Sequence, residues 1–93
     1  MKNCLHAIKI RENTDRDEVI RLLAREQFRA RDAYYIENSH TYNIDAGMND
    51  VRAVVEVDSN VVTLCCRDKA EVGIMDSRIV AFAAQHPELC GLQ

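Results

Sequence analysis

The chain has 93 residues, 12 Lys plus Arg against 15 Asp plus Glu, a net charge of −3 and 47% hydrophobic residues. So much apolar content with so little net charge excludes intrinsic disorder, and three Gly with one Pro exclude collagen-like and linker chains. No apolar run approaches the roughly 18 residues of a membrane span, and the length fits one domain over residues 1–93.

The opening MKNCLHAIKIR has its apolar stretch broken by His6 and Lys9 and no small-residue cleavage site after it. It does not read as a signal peptide, so the expected location is cytoplasmic. In that setting Cys4, Cys65, Cys66 and Cys90 are expected as reduced, mostly buried thiols rather than disulfides.

Residues 4–11 alternate as a strand with at least one partly buried face, His6, Ile8 and Ile10 sharing a side. A helix follows at about 15–30. Thr14 is its expected cap, Asp15, Asp17 and Glu18 fill the first turn, and Val19, Ile20, Leu22 and Leu23 recur on one face. From Ala33 the chain turns rich in Tyr, Ile and Thr, which suit a pleated surface. Residues 33–45 are either one bent strand or a hairpin turning at Asn38-Ser39. AGMND at 46–50 reads as a loop. Val51, Ala53, Val55 and Val57 then alternate with Arg52, Val54 and Glu56, Asp58-Ser59-Asn60 turns, and 61–66 (VVTLCC) returns.

Asp68 and Glu71 match a capping box for a last helix over 69–86, with Val72, Met75, Ile79, Phe82, Ala83 and His86 on one face. Gly73 within it costs about 1 kcal/mol relative to Ala, so a shorter helix from Asp76-Ser77 is the alternative. Pro87 ends it, and CGLQ reads as a short tail. The expected fold is a two-layer α+β sandwich. Two helices lie on one face of a mainly antiparallel sheet of four or five strands, in the order β-α-β-β-β-α. The helix–three strands–helix core is similar in element order to a double-stranded RNA-binding domain. That family opens its last helix with a lysine cluster, whereas this chain reads DKAEVG at 68–73, so the likeness ends at element order.

Charge is unevenly placed. Residues 1–31 carry +3 and residues 32–93 carry −6. Arg21, Arg25 and Arg29 recur every four residues, which on a helix makes a stripe opposite Val19 and Leu23. Planar guanidinium forks suit carboxylates and phosphates, so the stripe is a candidate partner-binding ridge. The plainer reading is a solvated face, with Asp17 and Glu18 partly answering Arg21. The acidic remainder (Glu37, Asp45, Asp50, Glu56, Asp58, Asp68, Glu71 and Asp76) is either ordinary solubility or a negative surface for a basic partner. A basic helix meeting the acidic face of a second copy would give a homodimer. Adjacent Tyr34 and Tyr35 face opposite sides of a strand, one packing in the core and the other open to an interface.

Catalytic signatures are missing. There is no G-x-S-x-G, glycine-rich phosphate loop or H-E-x-x-H, and Ser39-His40 face opposite ways as strand neighbours. Metal-ligand spacing is weak. Cys4 and His6 share a strand face, His86 and Cys90 are four apart, and adjacent Cys65 and Cys66 diverge. No metal or cofactor is expected.

The reading that follows is a small non-enzymatic binding protein of inhibitor, adaptor or accessory type. It meets another protein through Arg21, Arg25, Arg29, Tyr35 and Glu37. The alternatives are nucleic-acid binding by the Arg-rich helix, which the acidic chain opposes, and a small-molecule or enzymatic site on the open sheet face.

Overall fold

The alternating stretches become strands, and the two amphipathic stretches become helices. The structure, a computed structural model, describes residues 3–30, 33–36, 40–44, 53–66 and 68–93. In chain order the elements are β1 (Asn3–Ile10), α1 (Arg16–Phe28), β2 (Ala33–Ile36), β3 (Thr41–Ile44), β4 (Val54–Asp58) and β5 (Val61–Cys66). One 3₁₀ turn (Lys69–Glu71), α2 (Val72–Gln85) and β6 (Cys90–Leu92) complete the chain. The fold is α+β with an antiparallel sheet, and the predicted order β-α-β-β-β-α holds except that the 33–45 region supplies two strands and one more strand follows α2.

The strands lie in the order β2-β3-β4-β5-β1-β6, and every neighbouring pair is antiparallel. The stretch from Ala33 to Ile44 forms a hairpin rather than one bent strand, with Tyr35 paired to Tyr42. The tail is also a strand. Lys9 pairs with Gly91 and Ile10 with Cys90, so β6 covers the edge that β1 would otherwise leave open and makes a sixth strand.

Ile8, Ile10, Tyr42, Val55, Val62 and Leu64 alternate onto one face of the sheet. They join Val19, Ile20, Leu23 and Phe28 of α1 and Met75, Ile79, Phe82 and Ala83 of α2 in a single core. Both helices therefore cover one face, and two polar contacts tie them together. The Arg78 guanidinium stands 4.8 Å over the Phe28 ring, and His86 of α2's cap bonds Glu26 of α1.

The caps refine the sequence reading. Asp15, not Thr14, caps α1, its carboxylate accepting the Asp17 N–H at 3.0 Å. The neighbouring residue wins because it takes the extended φ/ψ of a cap. Asp68 caps as predicted, accepting the Ala70 N–H at 2.9 Å, although the first turn it caps is 3₁₀ and α2 proper starts at Val72. α1 stops at Arg29, which sits at φ 50 in the left-handed region, and the Ala30 N–H reaches back to the Ala24 carbonyl at 3.1 Å.

Candidate functional site

The apolar stripe of α1 fixes where its arginines go. With Val19, Ile20, Leu23, Ala24 and Phe28 turned to the core, Arg21, Arg25 and Arg29 are all exposed. They do not form one continuous stripe. Arg21 and Arg25 stand on consecutive turns, but Arg29 is the left-handed cap residue, so the helical spacing ends before it. Arg21 Nε lies 3.1 Å from Asp17 Oδ2, an i,i+4 pair between half-exposed groups. Asp17 also bonds the Tyr42 hydroxyl. Burial first and that carboxylate second push the Tyr42 pKa up. Arg16, at the start of α1, donates to the Ser59 carbonyl at 2.6 Å and holds the helix start against the β4–β5 turn.

A groove of about 350 Å³ runs beside this helix, lined by Thr14, Glu18, Arg21, Leu22, Arg25 and Leu89 among others. Leu22 and Leu89 supply apolar surface packed against the core, and the arginines and Glu18 supply charge. The loop that carries Leu89 is held in place from both sides. The Arg11 N–H donates to the Leu89 carbonyl at 2.9 Å, and Arg11 Nε to the Pro87 carbonyl at 2.7 Å. On the other side His86 bonds Glu26 and lies 3.5 Å from Glu88. The Glu26 hydrogen bond is the main cause of a raised His86 pKa, opposed by burial and helped by Glu88. The groove thus has a fixed wall rather than a free loop.

The other predicted site residues fare differently. Tyr35 lies in β2 opposite Tyr42, and its side chain is outside the described residues, as is all of Glu37. The acidic residues among those described do not form one face. Glu56 and Asp58 share a face of β4, Asp68 and Glu71 sit before α2, and Asp76 is half-buried within it. Asp45 and Asp50 lie outside the described residues.

Two cysteine expectations need correction. Cys4 and Cys65 are joined as a disulfide, across a sequence separation of 61. Cys66 and Cys90 lie outside the disulfide and are buried, and burial pushes both thiols up. The strand face expected for Cys4 also changes, and the side chain of His6 lies outside the described residues. Cys4 faces Cys65 and Ala7 faces Thr63, so β1 carries one extra residue between Cys4 and Ala7. This bulge moves Cys4 to the side of Ala7 and Lys9, away from the helices. His86 and Cys90 do not converge either, because the imidazole turns to Glu26 while the Cys90 thiol faces the His86 carbonyl at 3.7 Å.

Sequence reasoning missed the constellation that results. Glu56 Oε1 lies 3.5 Å from Cys4 Sγ and 3.4 Å from Cys65 Sγ, on the sheet face away from both helices. Its only sequence signal is the β4–β5 hairpin register, which sets Glu56 opposite Thr63, two residues before Cys65 on the same face.

No helix among the described residues is long and apolar enough to cross a membrane. Comparison with family models, curated proteins and solved structures finds no match for the chain.

Proposed function

We propose that this is a small, cytoplasmic, non-enzymatic binding protein that grips an acidic segment of another protein with the Arg21/Arg25 face of α1. One observation carries the reading. Two exposed arginines on consecutive helical turns border a groove whose apolar surface includes Leu22 and Leu89. A carboxylate-bearing segment with an apolar neighbour fits that combination, the guanidinium forks taking the carboxylates and the leucines taking the apolar side chain. The missing catalytic motifs support a binding role, and the net charge of −3 favours a protein partner over a nucleic acid. Arg29 is left out of the contact because it belongs to the helix cap, and the contact is assigned without Tyr35 and Glu37.

The test compares captures from the source cells by the wild-type chain and by Arg21→Glu/Arg25→Glu. The double variant is expected to lose the bound partner while its thermal midpoint stays close to wild type, because both residues are exposed. An identical capture would overturn the assignment. Retention of a fluorescent duplex by the wild type, falling steeply as salt rises, would assign the face to nucleic acid instead.

A further inference from the structure

The open face of the sheet holds a constellation independent of the Arg21/Arg25 groove. Cys4 of β1 and Cys65 of β5 are directly opposed and joined, and Glu56 of β4 sets a carboxylate oxygen against both sulphurs. Their three donor atoms all lie within 4.8 Å of one another. We propose that these residues form a redox-gated site for a zinc-like divalent cation, closed as the disulfide and opened when a thiol reductant converts it to the dithiol.

The chemistry of the donors supports this assignment. A disulfide sulphur has no proton to donate and no charge to offer a cation, so the Glu56 contacts are idle in the oxidised state. In reduction the S–S bond breaks and each sulphur gains one electron and one proton. The two thiols of the reductant lose them and form the reductant's own disulfide. A divalent cation then displaces both thiol protons to solvent and meets two thiolates and one carboxylate, with water free to take the fourth position. Thiolates select a borderline-soft ion such as zinc over magnesium or calcium. The three negative ligands exceed the charge of the ion by one, which the exposed side of the site can hydrate.

The geometry asks for little movement. Two sulphurs each about 2.3 Å from a tetrahedral zinc stand about 3.8 Å apart. The paired strands already hold Cα4 and Cα65 at 4.3 Å, so side-chain rotation can part the sulphurs without moving the backbone. Cys4 is exposed, giving reductant and ion an approach, while Cys65 is fully buried and anchors the site. Cys66 and Cys90 do not compete. Cys66 points into the core on the helix side, Cys90 is buried with it, and both thiols are pushed up by burial.

The test uses the full chain, oxidised and reduced, titrated with Co²⁺ as a spectroscopic probe and with Zn²⁺ against a chromophoric chelator. The reduced chain should bind a single equivalent with a thiolate-to-cobalt charge-transfer band, and the oxidised chain should bind none. Cys4→Ser, at an exposed position, should abolish the band with the circular dichroism spectrum unchanged. Glu56→Gln should keep the band but weaken binding by at least the roughly tenfold that losing even an outer partner costs. Three results would overturn the proposal. They are no band in the reduced chain, a band that survives Cys4→Ser, or an equal band in the oxidised chain.

Discussion

The two faces of the sheet obey different rules. On the helix side, Ile8, Val55, Val62 and Leu64 are fully or almost fully buried under α1 and α2, and their contribution is apolar area. On the open side, Ala7, Val54, Val61 and Thr63 are only half-buried, and they surround a disulfide and a carboxylate. One face holds the fold together, and the other gathers chemically active atoms from residues far apart in sequence. A sheet packed on one side can assemble such a cluster cheaply, because its registers are already fixed by burial on the opposite face.

The sharpest way to break this comparison is to make matched truncations on each side. Phe82 is fully buried at the centre of the α2 face, so Phe82→Ala should cost about 3–5 kcal/mol through lost transfer energy and a residual cavity. Thr63→Ala, on the open face opposite Ala7 and Glu56, should cost less than about 1 kcal/mol. Urea unfolding of both variants checks the pair. Equal losses would mean that the open face is packed as tightly as the helix side.

The same contrast explains what could be read from the sequence. The α2 face was legible because Met75, Ile79, Phe82 and Ala83 follow a period that burial demands, and all four are buried. The β4–β5 hairpin was legible because Ala53, Val55 and Val57 alternate before the turn Asp58-Ser59-Asn60 and the apolar run VVTLCC returns after it. β6 was not, because Cys90–Leu92 is too short for a period and becomes a strand only through the open edge of β1. The Arg face was legible in part. Arg21 and Arg25 follow from helical spacing, but the cap that removes Arg29 depends on how the chain leaves the helix. The Cys4–Glu56–Cys65 cluster was hidden for a stronger reason. Simple alternation puts Cys4 with His6 and Ile8, and one bulge residue moves it to the other side.

A smaller effect is expected where the two helices meet. His86 is bonded to Glu26 across α1 and α2, and its pKa is raised chiefly by that hydrogen bond. A group raised in the folded state adds stability in full below its unfolded value of about 6.5, and that stability is lost as pH rises through the folded pKa. Glu26→Gln should therefore lower the thermal midpoint most in mildly acidic buffer, and the gap to wild type should narrow as the solution is made alkaline. Midpoints of both chains across that range measure it. A gap that widens with pH would show that the pair is not held by the protonated imidazole. The same latch anchors the Leu89 wall of the groove, so loosening it should also weaken partner capture by the Arg21/Arg25 face.

The smallest expected effect separates Arg29 from the arginines before it. Arg29 holds φ 50 at the end of α1, a conformation that an L side chain enters against its Cβ and that glycine enters freely. The cap's hydrogen bonds run through the backbone, from the Arg29 and Ala30 N–H groups to the Ala24 carbonyl, and survive loss of the side chain. Relief of the left-handed strain outweighs the extra entropy of glycine in the unfolded chain, so Arg29→Gly should stabilise by about 0.5–1 kcal/mol. It should do so without changing partner capture, whereas Arg21→Glu/Arg25→Glu changes capture and costs in stability only roughly the few tenths of a kcal/mol of the exposed Arg21–Asp17 pair. If Arg29→Gly instead weakened capture, the ridge would extend past the helix end, and the strained conformation at Arg29 would have to be understood as aiming that side chain at the partner.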